Sequence, residues 1–219
     1  MTNKNLTAIG FVLDRSGSMM SIKDKTINGF NEFLETQKMS DGSACVTLAQ
    51  FDHEYNVIHD YVDIQSVPNL TTEAFAPRGS TALLDAIGMT IVSIGQKISL
   101  IAEDERPGNV IIVVITDGQE NASVEYSRDK IFEMITHQTE VYKWEFIFLG
   151  ASKDAISAGQ SMGFSTGKSV AYSTDNVTIA ISALGNKMSL YRSTTMNGGT
   201  KDVASAQMDY SEKDRSDIG

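Results

Sequence analysis

One cysteine, Cys45, stands in 219 residues, so no intrachain disulfide can form and stability has to come from packing. That scarcity favours a reducing compartment, and the expected location is cytoplasmic. Basic runs are missing too. Eighteen Lys plus Arg against 28 Asp plus Glu leave a formal net charge of −10. Neutralising a phosphate backbone needs a clustered basic surface, so no nucleic-acid partner is expected. No apolar run approaches the length of a membrane span. MTNKN and the eight apolar or small residues after it are too short and wrongly flanked for a signal peptide. The expectation is a protein with no membrane partner.

Several chemistries lack their residues. His53, His59 and His137 fall in no H-E-x-x-H or Cys/His pattern, which removes zinc hydrolysis. No G-x-G-x-x-G follows a strand and no Walker A is present, which removes nucleotide binding. G-x-S-x-G is absent and no histidine is paired with Ser16 or Ser18, so acyl transfer has no template here.

What the chain does have is oxygen at strand ends. Residues 9 to 18, IGFVLDRSGS, are an apolar run that stops at Asp14, with Ser16 and Ser18 at alternate positions after it. A turning backbone with that spacing can aim one carboxylate and two hydroxyls at one point, and oxygen-only ligation suits a hard cation, Mg²⁺ or Mn²⁺. Residues 109 to 118, NVIIVVITDG, read as a central parallel strand buried on both faces, with Asp117 at its carboxyl end. Between these two strands, Thr81 precedes Leu83, Leu84, Ile87, Ile91, Ile94 and Ile98 at helical spacing, so it lies at or near a helix N-terminus. Loops from different strands meet outside the carboxyl ends of an open α/β sheet. Asp14, Ser16, Ser18, Thr81 and Asp117 are therefore expected to converge.

These segments, DRSGS at 14 to 18, GSTAL at 79 to 83 and TDGQEN at 116 to 121, resemble the three parts of the metal-ion-dependent adhesion site (MIDAS) of the von Willebrand factor type A (vWA) domain. No ligand position departs from the motif, and the resemblance spans about residues 5 to 198. The TDGQEN wording is similar to intracellular bacterial and phage members. The resemblance implies that Ser16, Ser18 and Thr81 ligate directly, while Asp14 and Asp117 hold waters or anchor the serines. It also implies a protein-interaction module, not an enzyme, in which a partner Asp or Glu completes the coordination of the cation. The alternative is a divalent-metal hydrolase acting on a phosphate ester. That reading needs a second acidic cluster, for which Asp52 and Asp85 are the nearby residues.

The remaining periodicities predict a doubly wound α/β fold. It has a mostly parallel six-stranded sheet with one antiparallel edge strand, from a hairpin at 44 to 51 and 55 to 62, and helices on both faces. Thr174 or Asp175 is the expected N-cap of a helix at 176 to 196. One vWA domain is expected over residues 1 to 200. Residues 201 to 219, with little apolar content and five acids against three bases, read as an acidic mobile tail. A monomer or weak homo-oligomer is expected, the latter if tail acids reach a neighbour's metal.

Overall fold

A computed structural model describes residues 2 to 152 and 154 to 219. Its centre is two parallel strands, β1 (Asn3–Asp14) and β4 (Pro107–Thr116), hydrogen-bonded side by side. Outward from β1 lie β2 (Ser43–Phe51) and the antiparallel edge strand β3 (Tyr55–Asp63). Outward from β4 lie β5 (Glu145–Gly150) and β6 (Ser169–Ala171). The order β3-β2-β1-β4-β5-β6 reverses direction between β1 and β4. That is the switch point of a doubly wound sheet, where the loops after two adjacent strands diverge and leave a crevice.

Alternation along the strands builds two cores. Ile9, Phe11 and Leu13 of β1, with Ile111, Val113 and Ile115 of β4, face one side, where α1 (Lys23–Met39) and α5 (Val177–Met196) pack with Phe30, Phe33, Ile181 and Leu184. Ala8 and Val12, with Val110, Ile112 and Val114, face the other, covered by α2 (Leu83–Leu100), α3 (Arg128–Tyr142) and α4 (Ala155–Ser161). Both faces of β4 are apolar because both are covered. By length and composition α2 could cross a bilayer, although the sequence reading found no run of that kind. Half of it is buried, with Leu84, Ile87, Ile91 and Ile94 on the sheet, as befits a core helix.

Two expectations change. The N-cap of α5 is Asn176, without a side-chain cap bond; Asp175 instead pairs with Lys25 at 2.7 Å. The larger change is the C-terminal segment, which is helical and packed on the core where a mobile tail was expected. It forms α6 (Lys201–Gln207) and α7 (Glu212–Ile218), and Ala204, Met208, Tyr210 and Ile218 enter the α1/α5 core. Its charges are used locally. Asp214 closes a capping box with Ser211 and pairs with Lys187 at 2.9 Å, while Arg215 donates to the carbonyls of Ser169 and Thr166, both at 2.7 Å. Four apolar residues in nineteen suffice because they share one face of the core.

Candidate functional site

The site forms where β1 and β4 end. β1 closes on Asp14, which is fully buried (0% exposed). Its Oδ1 accepts the Ser16 backbone N–H at 2.6 Å, which folds the DRSGS loop into a tight turn, and its Oδ2 accepts the Thr116 hydroxyl at 2.6 Å from the last residue of β4. Ser16 Oγ lies 3.1 Å from Ser18 Oγ, and Ser18 Oγ donates to Asp117 Oδ1 at 2.6 Å. Thr81 arrives from the third loop. A methyl group placed on Gly118 would lie 3.0 Å from Thr81 Oγ1, 3.6 Å from Ser18 Oγ and 3.7 Å from Asp14 Oδ2. All five residues picked from the sequence thus meet, and three of their oxygens surround one small cradle.

Burial lifts the Asp14 carboxyl to about 6, against the hydrogen bonds from Thr116 and Ser16, and the nearby Asp117 pushes the same way. Asp117 is also raised, by burial, against the bond from Ser18. Neither carboxylate has a basic partner among the described residues. Two acids are held near one another, partly out of water, with no positive charge among the described residues to balance them.

Thr81 lies one residue before the N-cap of α2, near the helix N-terminus as its position in the sequence implied. The N-cap of α2 is Ala82, which has no capping side chain. The N-terminal N–H groups of the helix are instead satisfied from the loop after β4: Leu84 N–H donates to Glu120 Oε2 at 2.9 Å and Asp85 N–H to Ser123 Oγ at 3.1 Å. Just before the helix, Thr81 N–H donates to Asn121 Oδ1 at 2.9 Å, and Asn121 N–H returns to the Thr81 carbonyl at 3.0 Å. The residues after Asp117 are therefore the fastening that fixes Thr81. Asp85 is committed to the loop after β4, since it accepts the N–H groups of Val124, Glu125 and Tyr126 at 2.8, 3.0 and 2.8 Å.

A second acidic group stands beside the first. The ligand atoms of Asp52, His53 and Glu54, in the β2–β3 turn, lie within 4.8 Å of one another, a grouping that could hold a cation. Asp52 is as buried as Asp14 (0% exposed). Its carboxylate, however, takes Arg78 Nε at 2.9 Å, Arg15 Nε at 3.1 Å and the Glu54 N–H at 2.7 Å, while Arg78 also pairs with Glu54. Burial would raise Asp52, but the Glu54 N–H, Arg78 and Arg15 together hold it below its ordinary value. Arg15 belongs to the DRSGS loop and Arg78 precedes Gly79, so this ion-pair cluster staples two of the three site loops. Two backbone bonds reinforce it, Arg78 N–H to the Arg15 carbonyl at 2.7 Å and Gly17 N–H to the Gly79 carbonyl at 3.2 Å. Gly79 has φ +70°, the left-handed region that favours glycine, and any side chain there would collide with the His53 ring.

Sequence reasoning missed Thr116, Glu120, Asn121 and the Arg15–Asp52–Arg78 staple. Polar residues adjoining each motif segment were the available signal.

No protein-family model matches the sequence, and no curated protein matches it. Solved structures share its fold. A von Willebrand factor type A protein from Catenulispora acidiphila aligns over 92% of this chain and 42% of its own, at 9% identity and TM-score 0.54. Proximal thread matrix protein 1 from the mussel byssus, with a zinc-occupied MIDAS motif, aligns over 84% and 46% at 15% identity and TM-score 0.57. A mutant PilB minor pilin from Streptococcus sanguinis aligns over 89% and 63% at 12% identity and TM-score 0.54. The chain thus spans less than two thirds of each of these proteins. Its sheet order, antiparallel edge and flanking helices are those of a vWA-like, Rossmann-type α/β fold.

Proposed function

We propose that the protein is a metal-dependent interaction module that holds Mg²⁺ or Mn²⁺ at Asp14, Ser16, Ser18, Thr81 and Asp117 and binds an Asp or Glu side chain of a protein partner. The observation that carries this reading is the cradle beside Gly118, lined by Thr81 Oγ1, Ser18 Oγ and Asp14 Oδ2, next to two carboxylates with no counter-charge among the described residues. Buried unpaired carboxylates are costly, and a divalent cation would balance both. Oxygen-only donors favour a hard ion. Three of the five donors are neutral hydroxyls, so a bound ion would keep positive character and attract an incoming carboxylate. The zinc-occupied MIDAS of the mussel protein supports metal use on this fold.

Interaction is preferred to phosphate-ester hydrolysis because the carboxylates that a second metal would need are engaged, Asp85 by backbone N–H groups and Asp52 by arginines. The single free thiol, Cys45, half-buried in β2, and the TDGQEN wording support a cytoplasmic protein of bacterial or phage type. Calorimetric titration of Mg²⁺ and Mn²⁺ tests the site: one ion per chain is expected, and undiminished affinity in Asp14→Ala would remove the assignment. Partner capture should need Mg²⁺ and vanish with chelator. Metal-dependent turnover of a phosphate ester, lost in Asp14→Ala, would replace interaction by hydrolysis.

A further inference from the structure

At the opposite end of the sheet from Asp14 and Asp117, a cavity of about 430 Å³ opens among the last turns of α2 and α3, the start of β4 and the start of α6. Its volume falls in the range of small-molecule sites, about 300–1,000 Å³. The walls are largely apolar: Ile98 of α2, Val110 of β4, Tyr142 at the end of α3 and Trp144 just before β5. Trp144 is 6% exposed, so its indole belongs to the wall and not to the surface.

Two features set this cavity apart from a packing gap. The first is Gly95, in the middle of α2. Glycine weakens a helix interior, and here no crowding requires it, because a Cβ would meet nothing nearer than Trp144 Cη2 at 3.9 Å. The helix lacks a side chain at the spot where one would fill the cavity. The second is Lys201, a lining residue whose ammonium has no hydrogen bond or ion pair among the described residues. Burial and the nearby Lys143 lower its pKa; Glu145 works the other way, but the Glu145 carboxylate is already bonded to Lys168. The wall's other cation, Arg106, is held to the protein by bonds from Nε and Nη2 to the carbonyls of Ile101 and Ser99, at 2.8 and 3.0 Å. A half-buried cation without an acceptor, over an apolar floor with an aromatic wall, is complementary to an anion carried on an apolar body.

We propose that this cavity is a binding site for a small amphipathic carboxylate, its apolar body against Trp144, Val110 and Ile98 and its carboxylate on Lys201. The site is independent of the metal centre.

Trp144 is the only tryptophan, so its indole N–H gives a single NMR resonance that reports on this cavity. The probe is 4-phenylbutyrate, with 4-phenylbutyramide as its neutral counterpart. The acid should shift the indole resonance saturably, with a Kd on the order of 0.1–1 mM for a ligand of this size. The amide should bind about tenfold more weakly, and Lys201→Met should weaken the acid about tenfold while leaving the amide unchanged. Gly95→Leu, which fills the cavity and favours the helix, should abolish both responses with the circular dichroism spectrum retained. An indole resonance that does not saturate with the acid overturns the site. Equal binding of acid and amide, or an acid affinity unchanged in Lys201→Met, overturns the assignment to a carboxylate, and these arms hold even if Gly95→Leu fails to fold.

Discussion

Asp14 and Asp52 follow one another across the sheet, at the ends of the paired strands β1 and β2, and both are sealed from solvent. Asp52 is met by two guanidinium groups and held ionised below its usual range; Asp14 is met by two hydrogen-bond donors and a second carboxylate, and is pushed up to about 6. Burial is therefore not what separates them. The difference lies in whether the fold supplies a counter-charge. Where it does, the carboxylate is a staple that ties Arg15 and Arg78 together. Where it does not, the carboxylate is held ready for a cation from outside.

The sharpest break of this contrast is to delete each acid in turn. Asp14→Ala should abolish Mg²⁺ and Mn²⁺ binding in calorimetry while the metal-free protein changes little in thermal stability, because relief of an uncompensated buried charge offsets the lost bonds from Ser16 and Thr116. Asp52→Ala should do the reverse. It leaves Arg15 partly buried beside Arg78 with no carboxylate between them, and breaking a buried pair costs about 3–5 kcal/mol, at the low end here because Arg78 is half exposed. A clear fall in thermal midpoint with residual metal binding is expected. If Asp52→Ala instead lost the metal without losing stability, the Asp52–His53–Glu54 group would be the cation site.

The same contrast shows what could be read from residue order. The five converging oxygens were legible because each motif segment sits at the end of an apolar strand pattern, and parallel strands bring such ends together. The apolar runs of β1 and β4 and the helical spacing from Leu83 to Ile98 were legible for the same local reason. What was not legible depends on partners far apart in the chain. The capping of α2 by Glu120 and Ser123, and the pairing of Asp52 with Arg15 and Arg78, exist only once three loops are in place. Residues 201 to 219 misled because composition averages over the segment. Met208, Tyr210 and Ile218 are few, but each is buried in the core that α1 and α5 share with the sheet, and Arg215 secures them through backbone carbonyls.

A smaller effect is expected from pH. The folded-state pKa of Asp14, about 6, lies above the 3.8 of an ordinary aspartate. Its contribution to metal-free stability is therefore full below the lower value and lost as pH rises through about 6. Asp52 has the opposite sign, contributing above the ordinary value and failing as pH falls through its depressed one. Metal competes with the proton on Asp14, so Mn²⁺ affinity should drop about tenfold between pH of about 7.5 and about 5. Titrations at both pH values check this, and equal affinities would show that the Asp14 carboxylate takes no part in holding the ion.

The smallest and most selective perturbation is at Thr81, which belongs to neither acid. Its backbone is clasped by Asn121 in both directions, at 2.9 and 3.0 Å, and those bonds survive any side-chain change. The side chain is buried (3% exposed), but its hydroxyl has no hydrogen-bond partner among the described residues and points at the cradle shared with Ser18 and Asp14. Thr81→Ala should thus cost folding no more than about 1 kcal/mol, the scale of losing a small buried group without a cap or a broken bond. Metal affinity should fall by roughly tenfold, since one neutral donor of the set is gone while both carboxylates remain. Thr81→Ser keeps the hydroxyl and should restore affinity to near the starting value. If Thr81→Ala and Thr81→Ser were equally impaired, the loss would come from the missing methyl and its packing, and the third loop would serve to shape the cradle without donating to it.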